Sequence, residues 1–109
     1  MLKKLNPDYK IDINIAKLYI ENKNYEEANK LLLKLIKNND YRVYETLGIL
    51  NYKKQKFNES IDCFKKALEI ESESLYSNIQ LGNILKYKGY YKEAEKYYKI
   101  SNKIKKNNS

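Results

Sequence analysis

The chain resembles itself at an offset of 34 residues, and nothing else in it limits the fold as strongly. Leu47 and Leu81, Gly48 and Gly82, Phe57 and Tyr91, Ser60 and Ala94, Phe64 and Tyr98, Ala67 and Ser101, and Ile70 and Ile104 are like-for-like pairs at that offset. Matches of this kind at one spacing mark a tandem repeat. A unit of this size cannot bury its apolar face alone and must stack on its neighbours. A weaker copy precedes at an offset of 32, where Ala16, Tyr19, Tyr25, Ala28 and Leu32 align with Gly48, Asn51, Phe57, Ser60 and Phe64. The spacing from Ala16 to Ala28, Gly48 to Ser60 and Gly82 to Ala94 is 12 each time, so the two missing residues fall between copies, near Asn38-Asn39-Asp40.

Each copy has the periodicity of two helices joined by a short turn. Asn78, Leu81, Gly82 and Leu85 fall at i, i+3, i+4 and i+7. After the Lys88-Gly89-Tyr90 break, Tyr91, Ala94, Tyr98 and Ser101 make a second helical face. The middle copy repeats this with Tyr44, Leu47 and Gly48, then Phe57, Ser60, Ile61, Phe64, Ala67 and Leu68. Helices are expected near residues 8–22, 25–38, 41–54, 57–71, 75–88 and 91–105. Pro7 suits a first helical turn, Asn24 with Glu27 reads as a capping box for the second helix, and Ser74 reads as the cap of the fifth. Gly48 and Gly82 each cost about 1 kcal/mol of helix propensity relative to Ala. That cost is explained if they sit where antiparallel helices cross and an aromatic from the neighbour fills the groove.

On these residues the chain resembles the tetratricopeptide repeat family. The middle copy, 41–74, carries Tyr44-x2-Leu47-Gly48, Phe57, Ser60-x3-Phe64 and Ala67. The last, 75–108, carries Leu81-Gly82, Gly89, Tyr91, Ala94-x3-Tyr98 and Ser101, and the first, 9–40, keeps Ile15-Ala16-x2-Tyr19 and Tyr25-Glu26-Glu27-Ala28-x3-Leu32. The departures are Asn51 and Leu85 where an aromatic is usual, Leu35 at a small-residue position, and Ser72 and Lys106 in place of a closing Pro. Leu5-Asn6-Pro7-Asp8 resembles the tail of a preceding repeat, as in a piece of a longer array. The resemblance implies an all-α, right-handed superhelical solenoid of three antiparallel helix pairs, organised as a single domain over 1–109.

The family usually binds protein segments in a concave groove lined by the first helix of each repeat. Carried over residue by residue, the groove comprises Lys10, Ile13, Asn14, Lys17, Ile20 and Glu21, then Arg42, Glu45, Thr46, Ile49, Tyr52 and Lys53, then Tyr76, Ile79, Gln80, Asn83, Lys86 and Tyr87. Of these, Lys17, Arg42, Glu45, Ile49, Tyr52, Tyr76, Ile79, Asn83, Lys86 and Tyr87 are the expected contact residues. The tyrosines offer flat amphipathic area, and Arg42 could clamp a carboxylate bidentately. An extended, acidic or aromatic protein segment is the expected ligand; the competing reading is a solvated polar face. The five positions with which some family members clamp a chaperone's C-terminal carboxylate read Ile13, Lys17, Thr46, Tyr76 and Gln80, with one basic residue among them, which argues against such a tail as partner.

Net charge of +8 suggests acidic partners, but the basic residues are 21 Lys and one Arg. Lys, Asn, Ile and Tyr share AT-rich codons and fill 59 of 109 positions, so Lys is abundant whatever the ligand. The last repeat holds most of the excess, with Lys92, Lys96, Lys99, Lys103 and Lys106 in one helical stripe. A strip for RNA and a solvated face that favours the helix dipole are both open readings. The shortage of Arg favours the second and argues against nucleic acid. A structural piece of a longer array is the third alternative.

Tyr97, Ile100 and Ile104 form another apolar stripe on the last helix, which predicts a docking end, possible self-association included. Enzymatic work is not expected. The chain has no His, and Cys63 is the one Cys, so an imidazole base, a His or Cys metal cluster and an intrachain disulfide are excluded. Cys63 has no neighbouring His or Arg in sequence to activate it, and neither catalytic residues nor cofactors nor metal ligands are indicated. The N-terminus lacks the apolar run of a secretory signal and Leu31-Leu32-Leu33 is the longest apolar run, so a cytoplasmic protein without a membrane partner is expected.

Overall fold

The structure is a computed structural model and describes residues 8–108. The expected roles of Pro7 and of the Leu5-Asn6-Pro7 segment lie outside the described residues. Among the described residues six α-helices follow one another: α1 (Tyr9–Glu21), α2 (Tyr25–Leu35), α3 (Tyr41–Lys53), α4 (Phe57–Ile70), α5 (Leu75–Tyr87) and α6 (Tyr91–Asn107). They pack as three antiparallel pairs, α1 with α2, α3 with α4 and α5 with α6, and α2 meets α3 as α4 meets α5. The radius of gyration is 14.7 Å, above the roughly 13 Å of a compact chain of this length, and the molecule measures 48 × 30 × 23 Å. Stacking in one direction accounts for that elongation. No described helix is long and apolar enough to cross a membrane.

The turn inside each repeat is built the same way three times. The amide of Asn24 donates to the Tyr19 carbonyl at 2.7 Å and that of Lys23 to the Ile20 carbonyl at 3.0 Å, closing α1 in a Schellman motif. Lys56 and Gln55 repeat it on Asn51 and Tyr52, and Tyr90 and Gly89 on Leu85 and Lys86. The motif needs one left-handed residue, and Lys23 (φ 64°), Gln55 (φ 63°) and Gly89 (φ 90°) supply it. In the third repeat alone is that residue glycine. The amide pattern explains why Asn24 is not the expected capping box: its side chain makes no cap hydrogen bond. Ser74 does cap α5, accepting from the Ser77 amide at 3.2 Å.

The two missing residues of the first repeat are lost at the junction between pairs. α2 tightens into a 3-10 turn, Ile36–Asn38, and left-handed Asn39 (φ 51°) leads into Asp40, which caps α3 by accepting from the Arg42 amide at 2.9 Å. With the 3-10 turn counted as helix, residues 39–40 alone join the first pair to the second, whereas residues 71–74 join the second to the third. There the buried Asn78 side chain donates to the carbonyls of Ser72, at 3.2 Å, and Ser74, at 2.9 Å.

Glycine at the crossings has the expected steric cause. A Cβ on Gly48 would lie 2.7 Å from the Phe64 ring, and one on Gly82 would lie 2.8 Å from the Tyr98 ring. The first repeat solves the same crossing with Ala16 and the smaller Leu32, both fully buried. Ser60 sits at the middle crossing, donating its hydroxyl to the Gly48 carbonyl at 2.7 Å. The core falls in two parts, one around Ile13, Ala16, Leu32, Leu35, Val43 and Leu47, the other around Ile61, Phe64, Leu81, Ile84 and Leu85. Leu35 thus packs well at a position where a small residue is usual. Ile49 touches both parts and joins them.

Candidate functional site

Three hollows lie along the first helices α1, α3 and α5. One of about 460 Å³ is lined by Lys17, Ile20, Glu21, Lys23, Tyr25, Ile49 and Lys53. A second, of about 210 Å³, is lined by Lys17, Glu45, Thr46, Ile49 and Tyr76. The third, of about 180 Å³, is lined by Ile49, Tyr52, Lys53, Phe64, Tyr76, Gln80 and Ile84. Shared residues make them one groove. Ile49 borders all three hollows, with Lys17 and Lys53 shared on either side of it.

Of the expected contact residues, the fold gathers Lys17, Glu45, Ile49, Tyr52 and Tyr76 in this groove. Tyr76 lies 6.2 Å, ring to ring, from Phe64, and burial together with the Glu45 charge pushes its phenol upward. Tyr52 meets Phe57 edge-on at 5.6 Å, and Phe57 continues to Tyr87 at 5.2 Å. Ile79, Asn83, Lys86 and Tyr87 do not line the hollows. Asn83 accepts a hydrogen bond from the Tyr98 hydroxyl at 2.5 Å, so it faces its own second helix. Ile13, Ile20 and Thr46 are buried, and the Thr46 hydroxyl is spent on the Arg42 carbonyl at 2.7 Å. Of the five positions used for chaperone-tail binding, Ile13 is inside, while Thr46, its hydroxyl turned to its own helix, still borders the second hollow.

Arg42 differs from the expectation. Its Nε donates to Asp40 Oδ1 at 3.0 Å and its Nη2 to Oδ2 at 2.5 Å, so the bidentate fork is already occupied within the chain. Glu45 is likewise committed: the hydroxyls of Ser74 and Ser77 both donate to its Oε2, the latter at 2.6 Å, tying α3 to the start of α5. The groove is therefore apolar and aromatic along its floor. Lys17, Lys23 and Lys53 border it and are exposed, since long ammonium side chains keep their heads in water. Lys23 and Tyr25 also border the widest hollow, and only folding brings this turn to the groove edge.

The docking end on α6 differs as well. Ile104 is buried, while Tyr97 and Ile100 are half-buried. Tyr97 carries Lys96 over its ring at 5.3 Å and borders a hollow between α4 and α6, beside the Lys65–Glu93 ion pair at 3.1 Å. In the lysine stripe, Lys99 pairs with Glu95 at 3.8 Å. Cys63 accepts from Asn51 Nδ2 at 3.5 Å, and burial pushes its thiol upward, away from the reactive thiolate.

Antiparallel pairs stacked in one direction, with small residues at the crossings and a shared groove on the first helices, define a helical-repeat solenoid. Models of the tetratricopeptide repeat match residues 13–40, 41–74 and 75–108, and the chain belongs to that family. A protein of Cyanophora paradoxa bearing the name uncharacterized protein ycf37 is 29% identical over 91 residues, covering 78% of this chain and 53% of its own. MamA from Desulfovibrio magneticus RS-1 superposes with a TM-score of 0.81 at 17% identity, over 93% of this chain and 58% of that one. The type III secretion translocator chaperone SycD of Yersinia enterocolitica gives 0.83 at 19% identity, over 95% and 74%. The chain thus spans little more than half the length of the first two. At such identities the two solved structures share its fold.

Proposed function

We propose that this tetratricopeptide protein works by binding, and that it takes an extended protein segment along the concave groove, an apolar or aromatic side chain resting on Ile49 with acidic groups beside it toward Lys17 and Lys53. The observation that carries this reading is the continuity of the three hollows through Ile49, Lys17, Lys53 and Tyr76. Tyr52 and Tyr76 add rigid amphipathic contact area of the kind enriched at binding hot spots. Arg42 supports the groove without touching the ligand, its fork held by Asp40, and Glu45 borders the second hollow with its Oε2 held by the serines of the next junction.

Binding of a fluorescent twelve-residue peptide, with one Phe flanked by Asp and Glu, tests the reading. Lys17→Glu and Lys53→Glu are expected to weaken it by about tenfold each, with affinity falling as salt rises. Lys99→Glu, on α6, is expected to leave it unchanged. Equal affinities for all three variants would exclude the groove.

A further inference from the structure

The outer face of α1 is apolar and open. Ile11 is 57%, Ile15 36% and Leu18 57% exposed, at i, i+4 and i+7 on one side of the helix. Their repeat equivalents are Val43, Leu47 and Leu50 in α3, and Ser77, Leu81 and Ile84 in α5, none of them more than 6% exposed. What covers the five aliphatics among them is the second helix of the preceding pair. Leu32 and Leu35, with Ile36 just beyond them, share one core with Val43, Leu47 and Leu50, and Ile61 and Phe64, with Leu68 beside them, share the other with Leu81 and Ile84. The same positions on α1 carry aliphatics as large as those of α3.

We infer that the Ile11–Ile15–Leu18 face binds an amphipathic α-helix of a partner protein, stacked on α1 as α2 stacks on α3 and α4 on α5. Continuity with the two internal junctions sets the chemistry of that helix: large apolar residues at i, i+3 and i+7, the pattern of Ile61, Phe64 and Leu68. The opposite end of this chain does not supply it. At the equivalents of Ile61 and Leu68, α6 carries Glu95 and Asn102, both exposed, so a head-to-tail copy would lay polar groups on an aliphatic stripe. None of the three residues on this face lines the concave groove, so the site is separate from the one proposed above.

The probe is a fluorescein-labelled peptide of this chain's own residues 57–71, with Ser in place of Cys63, titrated with the full chain. Saturable binding is expected, with a dissociation constant on the order of 100 µM, because a single helix pays its own ordering on docking. Leu18→Asp in the protein, at an exposed position that leaves the melting curve unchanged, is expected to weaken binding at least about tenfold, as is Ile61→Asp in the peptide. Lys53→Ala, in the groove, is expected to change nothing. Absence of binding, or binding insensitive to Leu18→Asp, would overturn the inference. A dimer in sedimentation equilibrium that Leu18→Asp dissolves would overturn it too, by making a second copy the occupant.

Discussion

Asp40 grips Arg42 from two residues away, both carboxylate oxygens accepting from the guanidinium fork, while the Tyr9 hydroxyl donates to Oδ2 at 2.8 Å. The network ties the start of α1 to the start of α3 across the shortened junction. It also turns the chain's one arginine from a ligand clamp into a strut.

This network is acid-sensitive. Chiefly through the Arg42 hydrogen bonds, the Asp40 carboxyl is lowered from 3.8 to about 2. A depressed carboxylate adds stability above its unfolded pKa and loses it as pH falls through the folded one, here between about 4 and 2. Asp40→Asn is expected to cost about 2 kcal/mol near neutrality, with the deficit shrinking toward zero as pH falls below 2. Urea unfolding of both proteins across that range measures it.

Gly48→Ala gains helix propensity yet places a methyl 2.7 Å from the Phe64 ring. The net loss is expected at about 1–2 kcal/mol, overpacking outweighing propensity. Phe64→Leu in the same chain recreates the Ala16–Leu32 arrangement of the first repeat. A double-mutant cycle should show a favourable coupling of about 1 kcal/mol.

Gln55 holds a left-handed conformation that its repeat equivalent, Gly89, adopts without penalty. Gln55→Gly is expected to raise stability by about 0.5–1 kcal/mol, the relief of left-handed strain exceeding the entropy of glycine. Gly89→Ala should lower it by about 1 kcal/mol, at a site where no atom crowds the new methyl. Thermal melts of the two variants should shift in opposite directions.

Glu45 accepts from two serines at the second junction, so Glu45→Ala leaves the Ser74 and Ser77 hydroxyls without that acceptor. A loss of about 1–3 kcal/mol is expected, localised to the α3–α5 contact. Hydrogen exchange should quicken in α5 and α6 while α1 and α2 keep their protection. Glu45→Gln retains an acceptor and should cost less.

Much of this molecule is legible in one dimension. Helix periodicity, the 34-residue offset and the small-residue spacing of 12 locate six helices, three pairs and the crossings at Gly48 and Gly82, because stacking repeats interact mainly with their neighbours and local pattern is enough. The same alignment places Lys17, Ile49, Tyr52 and Tyr76 on the groove side. Partnership is another matter. Nothing in the pattern shows that Asp40 occupies Arg42, that Ser77 engages Glu45 from 32 residues away, or that Ile104 turns inward. Nor does it separate Ile11, Ile15 and Leu18 from Val43, Leu47 and Leu50, which carry the same signal. Periodicity records which side of a helix is apolar, while exposure depends on whether another helix lies against that side. The first is a property of the chain and the second of its packing.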